Sequence, residues 1–262
     1  MELATNGIRI HVSEKGHGES AIVFLHYWGG SSRTWRFVTE DLSDAYRTIA
    51  TDHRGWGQSD APAHGYTIAD LADDAQGAIE ALGLSRYVVV GHSMGGKVAQ
   101  LLASRRPPGL EGLVLVAPSP PAPMLLSDEQ RALLLSAYDS RESVGWVVDH
   151  VLTGSPLAAE RREQVIEDSL RGAPQAKAGW PNVAMREDIT AEVAAIEVPV
   201  LVIAGERDQV DRVETLRAEL LPRIAGARLQ ILPGIGHLSP LEAPSALVAA
   251  IRGFIGELEH GD

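Results

Sequence analysis

Six short runs of apolar, mostly β-branched residues punctuate the chain, at 21–25 (AIVFL), 47–51 (RTIAT), 87–90 (YVVV), 113–116 (LVLV), 200–203 (VLVI) and 228–232 (RLQIL). They are near-continuous instead of alternating, which predicts strands covered on both faces, as in a mostly parallel sheet. Between them the apolar spacing turns helical, over 67–82, 97–106, 212–221 and 245–258. The first of these opens with Thr67 as N-cap and early aspartates that suit the helix dipole, and Gly83 follows as a terminating glycine. The strand–helix rhythm breaks once. From about Pro121 to Ile189 only helix-like segments occur, at 128–138, 143–152 and 157–170, and strands resume near Val198. This predicts an α/β core built from 1–120 and 190–262, with a helical lid, 121–189, inserted over the sheet.

Composition narrows the class. Apolar residues make up 45% and charged residues 22% of the 262 positions, enough for a packed core. The formal net charge of −12 disfavours nucleic acid and anionic membrane surfaces, both of which need clustered cations. With no cysteine there is no disulfide, thiolate metal site or cysteine nucleophile. No apolar run reaches the roughly 18 residues of a membrane span, and residues 1–20 carry no signal-peptide core. The expectation is a soluble, cytoplasmic protein, compatible with a homo-oligomer. It needs no cofactor, and neither a zinc-binding helix nor a calcium loop is spelled out.

The sharpest chemical signal is Gly91-His92-Ser93-Met94-Gly95-Gly96, directly after YVVV and directly before a helix. A serine on a tight strand-to-helix turn needs small neighbours two positions to either side, and Gly91 and Gly95 supply them. The turn exposes the hydroxyl and aims the Met94 N–H at a developing oxyanion. The same stretch through Lys97 also spells the G-x-x-x-x-G-K frame of a phosphate loop, but Val98 stands where that motif needs Ser or Thr for magnesium.

A serine nucleophile requires a base, and the base an orienting acid. Of nine histidines, His237 stands at the end of Gly234-Ile235-Gly236-His237 after RLQIL, at a strand end where sites gather in open α/β sheets. His92 adjoins the serine but points elsewhere. His11, His17, His64, His150 and His260 read as surface or loop residues. Asp208, in the loop after VLVI, precedes His237 in the chain order Ser–Asp–His expected of such a sheet. Asp211 reads as the cap of the next helix. A second oxyanion donor is expected from His26-Tyr27-Trp28-Gly29-Gly30, with the Trp28 N–H preferred over that of Tyr27.

In this order, the His26–Gly30 stretch, Asp52-His53-Arg54-Gly55-Trp56-Gly57-Gln58-Ser59, the Ser93 elbow and the Asp208/His237 pair resemble the α/β-hydrolase superfamily over nearly the whole chain. The resemblance is strongest to carboxylesterases, cofactor-free haloperoxidases or perhydrolases, and enol-lactone hydrolases. It implies an eight-stranded, mostly parallel sheet flanked by helices with an inserted cap. It also implies a Ser93–His237–Asp208 triad and an oxyanion hole from the Trp28 and Met94 amides. Tyr27 departs from the glycine usual there, so the entrance or acyl pocket is reshaped. Asp52 and Arg54 read as braces. The implied activity is hydrolysis of a small or medium neutral ester or lactone. Perhydrolysis and C–C bond cleavage would use the same residues, and a ligand-binding receptor would use the same pocket. Tyr27, Met124, Leu125, Trp146 and Trp180 are the candidate pocket residues.

Overall fold

The computed structural model describes residues 1–260. Its eight strands are β1 (Glu2–Thr5), β2 (Ile8–Lys15), β3 (Ala21–Leu25), β4 (Arg47–Thr51), β5 (Tyr87–His92), β6 (Leu110–Val116), β7 (Val200–Gly205) and β8 (Arg228–Leu232). They form one sheet in the order β1-β2-β4-β3-β5-β6-β7-β8. β1 and β2 pair antiparallel, as do β2 and β4, and the other five pairings are parallel. This is the α/β-hydrolase fold.

All six anticipated strands are present. The β1–β2 hairpin adds two strands to those six: β1 forms the sheet edge, and β2 alternates apolar Ile8, Ile10 and Val12 with polar Arg9, His11 and Ser13, a pattern unlike the continuous apolar runs of the central strands. Its turn is Asn6-Gly7, both at positive φ, a pair whose conformational tolerance suits a two-residue hairpin.

The helices are α1 (Arg36–Leu42), α2 (Ile68–Ala81), α3 (Met94–Ser104), α4 (Asp128–Ser136), α5 (Arg141–Val147), α6 (Ala159–Arg171), α7 (Pro174–Asn182), α8 (Val213–Glu219), α9 (Ser239–Glu242) and α10 (Pro244–His260). Thr67 caps α2 as expected, its hydroxyl accepting from the Asp70 N–H while the Asp70 carboxylate accepts from the Thr67 N–H. On one face of the sheet, Trp35, Val38 and Leu42 meet Leu247, Ile251 and Phe254 of α10. The opposite face is covered by α2, α3 and α8. Burial on both sides is why the central strands carry apolar runs.

Between β6 and β7 the chain makes α4 to α7 and no strand. α7 was not anticipated; Pro174 opens it and Pro181 lies within it, an interior residue that lowers helix propensity. The two stems of this insert run side by side. The Ile189 N–H donates to the Pro121 carbonyl at 3.0 Å and the Met124 N–H to the Met185 carbonyl at 2.8 Å.

Candidate active site

Ser93 lies between β5 and α3 with φ 53° and ψ −116°, a strained conformation for a residue with a side chain. Close packing fixes it there. A Cβ on Gly91 would collide with the Gly95 carbonyl, and one on Gly95 with the Leu25 and His26 carbonyls. The same contact seats the start of α3 against the turn that leaves β3. The Ser93 carbonyl accepts the N–H groups of Gly96, Lys97 and Ser119, at 2.8, 3.1 and 3.1 Å.

His237 and Asp208 meet as the sequence suggests. The His237 Nδ1–H donates to Asp208 Oδ2 at 2.8 Å, with both side chains almost wholly buried. Asp208 Oδ1 accepts the N–H groups of Val210 (2.8 Å) and Asp211 (3.1 Å), so the carboxylate cannot swing away. Gly205, at the end of β7, lets this loop touch the His237 loop, since a Cβ there would strike the Ile235 and Gly236 carbonyls. Burial alone would lower the His237 pKa; the charge and hydrogen bond of Asp208, helped by Asp211 and Glu242, outweigh it and raise the value.

His92 is engaged elsewhere than with the serine hydroxyl. Its Nε2–H donates to the His237 carbonyl at 2.8 Å and its ring lies 5.0 Å from that of His237, bringing the histidine loop beside the elbow. Two further buried histidines fix the turn after β3. His26 donates Nδ1–H to the Tyr27 carbonyl at 2.7 Å and accepts the His53 N–H at Nε2, while His53 Nε2–H donates to the His26 carbonyl. Burial keeps both neutral, His26 lowered to about 4. The Tyr27 carbonyl also accepts the Gly30 N–H. Because a trans peptide sets its N–H opposite its C=O, the Trp28 N–H is turned away from these partners. Among the described residues no protein group accepts the N–H of Trp28 or Met94. Tyr27 itself is buried, its ring 5.1 Å from His92 and packed against Gly30.

The candidate pocket residues separate. Trp180 lines a cavity of about 10 Å³, room for one water, together with Met94, Trp56, Tyr66, Ala176 and Ala184. Met124 and Leu125 line a different groove on the outside of the insert, with Leu125 77% exposed. Trp146 is 58% exposed and stacks on His150. Helical spacing marks an apolar stripe but does not say which neighbour it faces.

Three buried charged groups near the site were read otherwise or passed over. Asp211 is no helix cap: α8 starts after Arg212, and the Asp211 carboxyl is buried, with Oδ2 3.4 Å from the Ser119 hydroxyl and Oδ1 without a protein partner among the described residues. Burial pushes its pKa up to about 7, although His237 pulls it down. Lys97, the residue that completes the phosphate-loop frame, is buried. Its ammonium donates to the Glu187 carbonyl at 2.6 Å and the Ala122 carbonyl at 3.3 Å, one on each stem of the insert. Asp168 on α6 accepts from the Ser31 hydroxyl (3.0 Å) and pairs with Arg33 (2.9 Å). As expected of braces, Asp52 accepts the Ser32 and Gln58 N–H groups, and Arg54 forms a buried pair with Asp74.

A sequence model described as the alpha/beta hydrolase fold matches residues 20–144. A Caulobacter sp. (strain K31) protein named as a carbamate hydrolase, RutD, is 31% identical over 235 residues, spanning 87% of each chain. A non-heme haloperoxidase of Rhodococcus erythropolis is 29% identical over 252 residues, 89% of this chain and 91% of that one. The crystal structure of the enol-lactonase from Burkholderia xenovorans LB400 superposes with a TM-score of 0.85 at 25% identity, covering 98% of this chain and 100% of that one. The chain belongs to the α/β-hydrolase family and is a hydrolase of that family. No helix among the described residues is long and apolar enough to cross a membrane.

Proposed function

We propose that this protein is a serine hydrolase acting on a small neutral carboxylic ester or lactone through Ser93, His237 and Asp208, with 121–189 as its cap. The observation that carries the reading is the pairing of a strained elbow serine with a buried, Asp208-held histidine on the adjoining loop.

The chemistry follows from these positions. His237 Nε2 takes the Ser93 proton as Oγ attacks the carbonyl carbon. The carbonyl π pair moves onto oxygen, where the Trp28 and Met94 N–H groups receive the charge. Asp208 holds the tautomer that leaves Nε2 free and stabilises the imidazolium. Collapse expels the alkoxide, which takes the proton from His237, and leaves an acyl-serine. Water then attacks with His237 again as base, releasing the acid and restoring Ser93. In a lactone the alcohol stays tethered to the acyl group and leaves with it.

The space beside Met94, bounded by Trp56 and Trp180, has room for one water, so an acyl group enters only as these side chains shift, which supports a short one. The Arg54 charge at its edge is neutralised by Asp74, which supports a neutral substrate. The named activity of the enol-lactonase relative is in keeping with a cyclic ester, and that of the haloperoxidase relative with perhydrolysis as a side activity. Turnover of aryl esters graded in acyl length, with lactones, a diketone and peroxide plus acetate alongside, tests this. The expected result is fastest hydrolysis of acetyl or propionyl esters or of a lactone, abolished in Ser93→Ala. Ester turnover that survives Ser93→Ala overturns the mechanism. Failure on every ester and lactone, with binding of small apolar ligands retained, favours a receptor.

A further inference from the structure

The turn that carries the Trp28 N–H is held from two sides, and only one side belongs to the sheet. His26 fixes the Tyr27 carbonyl from within the core. The next two carbonyls are held by hydroxyls from the insert: the Tyr138 O–H donates to the Trp28 carbonyl at 2.9 Å, and the Ser169 O–H to the Gly29 carbonyl at 3.0 Å. The Trp28 indole N–H donates to the Lys177 carbonyl of α7, and its ring packs on Tyr138 with centroids 4.2 Å apart. Beyond the turn, Asp168 of α6 binds Ser31 and Arg33.

Gly29, at φ 98°, makes this possible. A Cβ there would occupy the space of the Tyr138 ring. Gly29 and Gly30 also leave the turn with little stiffness of its own, because glycine has the widest choice of backbone conformations. The Tyr27 carbonyl is anchored within the turn by His26 and the Gly30 N–H, whereas the two carbonyls that follow it are braced from outside the loop. Ser93, Trp28, Met94 and His237 are nearly inaccessible in this arrangement, so substrate entry requires the inserted helices or neighbouring side chains to move. Tyr138 and Ser169 belong to the insert, so a movement of the segments that carry them would take their hydroxyls away from the turn.

We propose that Tyr138 and Ser169 are positioning residues through which cap closure completes the oxyanion hole. This inference rests on the serine-hydrolase reading. With the cap open, the Trp28–Gly29 turn samples other conformations and its N–H leaves the oxyanion position. With the cap closed over substrate, the two hydroxyls return it. Transition-state stabilisation is thereby coupled to substrate enclosure, as in induced fit.

The test uses the full-length protein as wild type, Tyr138→Phe, Ser169→Ala and the double variant. The phenylalanine retains the ring stack, and the Ser169 variant gives an independent readout if Tyr138→Phe folds poorly. Each is assayed with p-nitrophenyl acetate and with a short-chain trifluoromethyl ketone, whose serine adduct places an oxyanion in the same hole. The expected result is a fall in kcat of about tenfold for each single variant, a fraction of what complete loss of a donor costs. KM should stay within about twofold and the ketone Ki should rise by the same factor as kcat/KM falls. The double variant should lose less than the product of the two, because both hydroxyls act on one turn. Unchanged kcat and Ki in both single variants overturns the proposal, as does a raised KM with unchanged kcat. Fluorophosphonate labelling of the wild type separates the two claims. Labelling on Ser93 with unaffected variants sinks only the cap coupling, and no labelling of the wild type sinks both.

Discussion

His237 presents one ring nitrogen to Asp208 at 2.8 Å, and Asp208 is itself pinned through its other oxygen by two backbone N–H groups. The pair is rigid before substrate arrives, so the geometry does not depend on an induced rotation of the carboxylate. Asp208→Asn retains the shape but can donate to Nδ1 and favour the wrong tautomer. It should lower kcat by about 10³–10⁴-fold with little change in melting temperature.

The same pair sets the pH dependence. Asp208 raises the His237 pKa in spite of burial, and in the proposed mechanism only the neutral imidazole can act as base. Activity is therefore lost as pH falls through this raised value, and the acid limb of kcat/KM should lie above the ordinary histidine value of 6.5. In Asp208→Ala, where burial acts unopposed by that carboxylate, the residual activity should show its acid limb at lower pH. A limb that stays in place would show that another group titrates.

Asp211 supplies a second, weaker influence. Its carboxyl ionises near 3.8 in an unfolded chain and at about 7 in the fold. A raised folded-state value means that the stability from this group is complete below about pH 4 and is lost as pH rises through about 7. Asp211→Asn, which removes the charge and retains the size, should melt above wild type at pH 8 and together with it near pH 4. Because the Asp211 charge also helps to raise His237, the acid limb of the variant should move to lower pH. Thermal melts at the two pH values and a rate profile check both.

Lys97 ties α3 to both stems of the insert. Lys97→Met leaves the Ala122 and Glu187 carbonyls without that donor, and each buried unpaired group costs about 1–3 kcal/mol. Denaturant unfolding should report the loss. Hydrogen exchange should show faster opening at the Met124 and Ile189 amides, which bridge the stems. Burial lowers the lysine pKa from 10.5 to about 8, and a neutral amine still has two N–H donors for the two carbonyls. A depressed folded-state value means that this group's stability is present above about pH 10.5 and lost as pH falls through about 8. The stability gap between wild type and Lys97→Met should therefore widen from pH 8 to pH 10.

The architecture was legible where a physical need restricts the residue type. Strands buried on two faces must be apolar throughout, and five of the six runs proved to be such strands, whereas the sixth, β8, is an edge strand that leaves Arg228 and Gln230 exposed. The elbow must have small neighbours, and Gly91, Gly95 and Gly96 lie against backbone or Pro118 as that need predicts. Legibility fails where tertiary contacts decide. The β1–β2 hairpin carries a turn signal in Asn6-Gly7 and, in β2, an alternation of Ile8, Ile10 and Val12 with polar residues, but a search for continuous apolar runs passes over a strand with one polar face. Trp146, Leu125 and Trp180 are equally apolar in the sequence, yet only Trp180 reaches the cavity beside Met94. Lys97 looked like half of a phosphate loop, because no one-dimensional pattern shows that carbonyls from residues 25 and 90 positions away converge on its ammonium.

The proposed chemistry stands or falls with Ser93 as the nucleophile. Intact-mass analysis after treatment with a fluorophosphonate, followed by peptide mapping, tests it most directly. One phosphonyl adduct per chain is expected, located on Ser93, absent in Ser93→Ala and strongly slowed in His237→Ala. An unmodified wild type, or an adduct on any other residue, would contradict it.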